Sequence, residues 1–210
     1  MLTHRIHLPE QPEDGMPLLV LLHGRGADEM DLLALAPHLP PVLLVAPRAP
    51  FRAAPWGYGP GYAWYRFLGD VRPDPDHYQR SLDELDDLLA ALPGALPVQP
   101  GPLFLGGFSQ GGTVSLGYAL SHTGRAHTVL NLSGFLADHP AVKVTPDTVG
   151  SARFYWPHGL LDRSVPHTYA QQGRSQLLAV GAYLSAPDYN IDHSLIREEL
   201  EDIAELIRTV

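Results

Sequence analysis

Leu103-Phe104-Leu105-Gly106-Gly107-Phe108-Ser109-Gln110-Gly111-Gly112 decides how the rest of the chain is read. An apolar run ends in Gly-x-Ser-x-Gly and passes straight into small residues that can begin a helix. In a nucleophile elbow of this kind, a tight strand-to-helix turn lifts a serine above the end of a parallel sheet. Glycines flank the serine because the turn is strained and leaves no room for side chains two residues to either side. In a chain with 20 glycines the five-residue pattern alone has little specificity. It needs a strand before it, a helix after it, and an acid and a histidine later on.

Working outward, the neighbouring segments meet the first two demands. Leu18 to Leu22 and Val42 to Ala46 are short and continuously apolar, as strands covered on both faces must be. Thr128 to Leu132 reads as a further strand ending in Ser133-Gly134, and Ala182-Tyr183-Leu184 as a last one. Thr3 to Leu8 alternates polar and apolar residues, which suits an exposed antiparallel edge. Gly111 to Leu120 is small and apolar on most sides and predicts a buried helix.

Asp74-Pro75 opens a second helix, with Tyr78, Leu82, Leu85, Leu89 and Leu92 on one face and an acidic run on the other. Asp28 is expected to cap a short helix ending before Pro37, and Pro166 to start one that stops at Gly181. Ser194 is expected to cap a last helix with Ile196, Leu200, Ile203 and Ile207 inward. Between Pro47 and Pro75 no period holds, and an aromatic-rich loop is expected there. The alternation of strands and helices predicts one mostly parallel, doubly wound α/β sheet, a single domain over 1–210 without a large cap.

Composition agrees. Of 210 residues, 45% are hydrophobic and 18% charged, as in a globular protein with one sizeable core. With 14 Lys+Arg against 23 Asp+Glu, the formal charge of -9 argues against nucleic acid as a partner. There are no cysteines, so a thiol nucleophile and thiolate metal sites are excluded. No apolar run has the length of a membrane span, and Met1 to Gly15 lacks signal-peptide character, so a cytoplasmic protein is expected. The 11 histidines include no paired-ligand spacing on a helix, and neither a metal nor a cofactor is expected.

In a doubly wound sheet the functional residues sit beyond the carboxyl ends of the strands. Four such ends are polar: His23-Gly24-Arg25, Ser109, Asp162 and His193. Serine, acid and histidine therefore come in the order that an elbow hydrolase requires. With Leu22-His23-Gly24-Arg25-Gly26, Gly106 to Gly112, His158-Gly159-Leu160-Leu161-Asp162-Arg163-Ser164-Val165-Pro166 and His193, the chain resembles the phospholipase/carboxylesterase family of α/β hydrolases, which includes acyl-protein thioesterases. The resemblance covers nearly the whole length. It departs at Asp192, where the family has glycine before the histidine. An uncommon backbone conformation, or a second carboxylate beside the imidazole, is expected there.

On this reading Ser109 is the nucleophile, His193 the general base and acid, and Asp162 the group that orients the imidazole. The Gln110 N–H is one oxyanion donor, and the resemblance puts the other at Arg25. Asp138, Asp188 and Asp192 are rival acids, and His158 and His167 rival histidines. His23 is expected to brace the oxyanion loop, and Ser133 to buttress the site. Trp56, Tyr58, Tyr62 and Trp64 are candidates for lining the substrate pocket, with a core position the stronger reading for Trp64. The expected activity is hydrolysis of short to medium acyl esters or thioesters, small or on a larger carrier, at an open site. A peptidase or amidase and a non-catalytic receptor are the alternatives. A homodimer through exposed apolar edges is left open.

Overall fold

The computed structural model describes residues 1–210. Its strands are β1 (His4–His7), β2 (Leu18–Leu22), β3 (Leu43–Pro47), β4 (Phe51–Arg52), β5 (Tyr62–Ala63), β6 (Leu103–Phe108), β7 (Thr128–Leu132), β8 (Arg153–Tyr155), β9 (His158–Gly159), β10 (Tyr183–Ser185) and β11 (Asp188–Tyr189). The α-helices are α1 (Pro75–Ala95), α2 (Gln110–Ser121), α3 (Pro146–Val149), α4 (His167–Ala179) and α5 (Arg197–Arg208). Seven strands form one sheet in the order β1-β3-β2-β6-β7-β8-β10. Only the edge strand β1 runs antiparallel to its neighbour. The expected α/β architecture is the observed one.

Alternation along the central strands feeds two cores. Leu18, Val20 and Leu22 face the larger one with Leu82 and Leu85 of α1, Val114 and Leu116 of α2, and Leu177 of α4. Leu19 and Leu21 face the smaller one with Ile203 and Ile207 of α5. Each fully buried leucine contributes about 1.5–3 kcal/mol, which is why β2 carries no polar residue. The register then sets the site. Leu22 lies opposite Gly107, and Phe108 opposite Leu132. The residues that follow these three strands therefore emerge side by side at one end of the sheet.

Several local expectations change. Asp28 caps no helix: its Oδ1 accepts the Met30 N–H at 2.9 Å in a turn, and a 3₁₀ helix follows at Leu32–His38 with Pro37 inside it. The aromatic loop is not structureless, since β4 and β5 pair as a small hairpin around a 3₁₀ turn at Ala54–Trp56. Helix α1 runs past Pro93 to Ala95, with Asp74 accepting the His77 N–H as its cap. Ser194 does not cap α5: Ile196 precedes the helix, and its N–H goes to Glu199 Oε2 at 2.9 Å. No helix is long and apolar enough to cross a membrane.

Candidate active site

The elbow is built by steric exclusion. A Cβ on Gly107 or on Gly111 would collide with the carbonyl oxygen of Leu22, so neither position accepts a side chain. Ser109 itself sits at φ 55° and ψ -113°, a region costing of order 1–3 kcal/mol for a residue with a Cβ. Its N–H donates to Leu132 O at 2.8 Å, and its carbonyl accepts the Thr113 N–H at 3.0 Å. Thr113 Oγ1 adds a 3.2 Å bond to the same carbonyl and accepts the Phe135 N–H at 3.1 Å. Beside it, Ser133 holds φ 53° with a buried hydroxyl that meets no partner, and its N–H donates to Pro157 O at 3.2 Å.

Asp162 and His193 come from different loops and meet. His193 Nδ1 lies 2.6 Å from Asp162 Oδ2. The second carboxylate oxygen accepts the N–H groups of Ser164 and Val165, both at 2.8 Å. Burial alone would push this carboxyl up; the bond from His193 and the two backbone donors outweigh it and hold it below its ordinary value. A carboxylate anchored on one oxygen and presenting the other fixes which imidazole nitrogen bears the proton. The Phe108 ring packs on the His193 ring at 4.6 Å between centroids. Ser109 and His193 line one cavity, with no direct hydrogen bond between them.

The rival residues have other employment. Asp188 accepts from Arg174 at 2.7 Å and lies 2.9 Å from His167 Nε2. Asp138 is exposed and away from the cavity. Asp192 is exposed, is not among the residues of positive φ, and takes the Ser194 hydroxyl at 2.9 Å rather than the imidazole. Both expectations for Asp192 are thereby corrected. His23 donates from Nδ1 to Gly24 O at 2.7 Å and accepts the Ala49 N–H on Nε2 at 3.0 Å. It is a neutral brace for the loop carrying Arg25, and its burial lowers the imidazole pKa.

Gln110 does more than its position in the motif announced. Its N–H heads α2, where an N–H has no acceptor within the helix. Its buried side chain accepts the Trp64 N–H at 3.1 Å and donates to Tyr65 O at 2.9 Å. The amide thus clamps the aromatic loop onto the elbow, a contact with no local sequence signal.

The cavity of about 210 Å³ is lined by Arg25, Asp31, Tyr65, Phe67, Phe108, Gln110, Phe135, Ser164 and Val165 as well as Ser109 and His193. None of the four candidate aromatics lines it, and Trp64 takes the core position that was its stronger reading. Trp64 is fully buried and donates from Nε1 to His23 O at 2.9 Å. Trp56 packs against Phe51 and His77, which also touch each other. Tyr58 lies under the Arg25 guanidinium and accepts the Phe67 N–H at 2.9 Å. Tyr62 is held between Arg48 and Arg52, with Arg48 in turn bidentate on the buried Glu29. The lining aromatics are Tyr65 and Phe67 of the same loop. Their i, i+2 spacing was the available signal, since an extended stretch turns alternate side chains the same way.

Comparison with known proteins fits this arrangement. A family model described as phospholipase/carboxylesterase matches residues 3–210. The chain belongs to that family. It is 26% identical to mouse lysophospholipase-like protein 1, over 91% of this chain and 85% of that protein. It is 25% identical to an acyl-protein thioesterase 1 of Cryptococcus neoformans, over 97% of this chain and 96% of the relative. The crystal structure of acyl-protein thioesterase 2 from Zea mays shares the fold, with a TM-score of 0.77 and 20% identity, covering 100% of this chain and 99% of that one. Membership makes the protein a hydrolase of the carboxylesterase/thioesterase type.

Proposed function

We propose that the chain hydrolyses carboxylic esters, and thioesters of the same acyl groups, through Ser109, His193 and Asp162. The observation that carries this reading is the 2.6 Å contact of His193 Nδ1 with Asp162 on the rim of the cavity that holds the strained Ser109. His193 Nε2 takes the Ser109 proton as Oγ attacks the acyl carbon, and returns it to the departing alcohol or thiol. Asp162 steadies the imidazolium without taking its proton. The N–H groups of Gln110 and Arg25 receive the oxyanion; a single donor of this kind is worth about 10²–10³ in rate. Water then repeats the cycle on the acyl-enzyme.

The cavity favours short to medium acyl groups, which Phe67, Phe108 and Phe135 would hold. Between Phe135 and Ala152 there is only the single turn α3, so no cap covers the leaving group, and a large carrier has access. The test is hydrolysis of p-nitrophenyl acetate and butyrate by the wild type and Ser109→Ala, alongside labelling by a fluorophosphonate. The variant is expected to lose at least about 10⁴-fold in kcat and all labelling. Retention of most activity would sink the assignment.

A further inference from the structure

Beside Asp162, and outside the lining of the cavity, stands a histidine that the mechanism above leaves idle. His158, on β9, is fully buried. Its Nε2 lies 2.8 Å from Val165 O and 3.4 Å from Asp162 Oδ2, the oxygen that also holds His193. A carbonyl oxygen only accepts, so Nε2 carries the hydrogen and the tautomer is fixed. Nδ1 is buried and meets no partner. A second proton on the ring would therefore point at no acceptor, a costly arrangement away from water.

The charged and titratable groups facing this ring are Asp162 from the acid turn and His167 and Arg174 from α4; Asp188 of β11 joins the last two. Burial above all, with Arg174 and His167, favours the neutral ring and outweighs the bond to Val165 O and the charge of Asp162. Arg174 spends its charge on Asp188 and on Trp156 O. The acid turn is closed by reciprocal bonds. The N–H groups of Ser164 and Val165 go to Asp162 Oδ1, and the Val165 carbonyl returns to His158.

We propose that His158 is a positioning residue for the acid–histidine pair: its neutral Nε2–H clips the 162–165 turn through Val165 O, and flanks Asp162 Oδ2 so that this oxygen points at His193. Being neutral, the ring orients the carboxylate without cancelling its charge, which stays available to the imidazolium of His193. A cationic neighbour at the same place would compete with His193 for Asp162. The inference rests on the Ser109–His193–Asp162 reading and extends it by one residue.

The experiment compares His158→Leu, which removes the donor, with His158→Gln, whose amide nitrogen can reach the Nε2 position. Both are assayed with p-nitrophenyl butyrate across pH, with circular dichroism and a thermal melt on each. For His158→Leu we expect kcat to fall about tenfold, the rate equivalent of one hydrogen bond, with KM within about twofold. The acid limb of kcat/KM should move up by about half a pH unit, because an unflanked carboxylate holds the imidazolium more strongly. His158→Gln should recover kcat to within about threefold of the wild type and return the limb to its place.

A folded His158→Leu with wild-type kcat and an unmoved limb overturns the proposal. So does a folded His158→Gln that falls as far as the leucine variant, since the ring would then matter only for packing. Should the leucine variant not fold, His158→Asn, whose shorter amide stays on the Nδ1 side, answers the same question. Ser109→Ala and Asp162→Asn run in parallel separate the two failures. If these stay active, the triad reading falls and takes this inference with it; if they are inactive and His158→Leu is not, only the role of His158 falls.

Discussion

The two sides of the cavity are made by different physics. On the elbow side, β6 and α2 are adjacent in the chain, and the shape comes from what is missing, namely side chains at Gly107 and Gly111. On the histidine side, Asp162 and His193 stand 31 residues apart, and the shape comes from hydrogen bonds to a buried carboxylate. A steric site is rigid and has no pH dependence. A hydrogen-bonded one is set by protonation and by the aim of a few side chains. Damage to the first should therefore show as lost folding, and damage to the second as lost turnover in a folded protein.

The sharpest way to break this comparison is a pair of substitutions, one on each side. Asp162→Asn should lower kcat by about 10³–10⁴-fold, because the amide no longer enforces the right tautomer of His193. Its circular dichroism should match the wild type. Gly111→Val should cost more than about 4 kcal/mol, because the Leu22 carbonyl cannot be moved without breaking the β2–β6 pairing. Little soluble protein is expected. If Gly111→Val melts normally, or if Asp162→Asn unfolds, the division between steric and hydrogen-bonded sides is wrong.

Gln110→Ala sharpens the elbow side. It keeps the backbone N–H and removes the clamp on Trp64 and Tyr65, leaving two buried backbone groups unpaired. A loss of about 2–4 kcal/mol by urea denaturation is expected, with KM rising because Tyr65 and Phe67 drift from the cavity wall.

Glu199 tests the histidine side through pH. It is buried near the start of α5, and burial raises its carboxyl from the usual 4.5 to about 7, against the opposing bond from the Ile196 N–H. The folded protein therefore binds its proton more tightly than the unfolded chain does. The contribution of this group to stability is full below pH 4.5 and is lost as pH rises through about 7. Glu199→Gln should remove that loss, giving about 2–3 kcal/mol more stability than the wild type at pH 8 and near equality at pH 4.5. A wild type whose urea midpoint did not fall across this interval would contradict the assignment.

The smallest effect is expected at Tyr62. Tyr62→Phe should leave kcat/KM within about twofold and cost under about 1 kcal/mol, since its hydroxyl meets only Arg48 at 3.2 Å and its ring lies outside the cavity. A large rise in KM would restore the outer aromatics to the substrate pocket.

These contrasts also explain which parts were legible in advance. The sheet, α1 and α2 follow from short-range patterns, because buried parallel strands must be continuously apolar and an elbow must be glycine-rich. The cap expected at Ser194 failed because Ser, Thr, Asp and Asn near a helix start often serve turns instead. Ser194 bonds Asp192, and Glu199 reaches back to the Ile196 N–H. Nothing local in the sequence sets Glu199 apart from the other acids of α5, yet it is fully buried, on a helix whose Ile203 and Ile207 join the core with Leu132 and Tyr155.

Ser109, Asp162 and His193 could be proposed from the chain alone because each ends a strand or precedes a helix in the required order. Local sequence determined those positions, and with them the fold, since sterics and apolar periodicity act over a few residues. Which aromatics face the cavity, what the Gln110 amide holds and which further histidine stands beside Asp162 were decided by the tertiary structure. Those contacts join residues dozens of positions apart, where hydrogen-bond direction rather than residue type selects the partner.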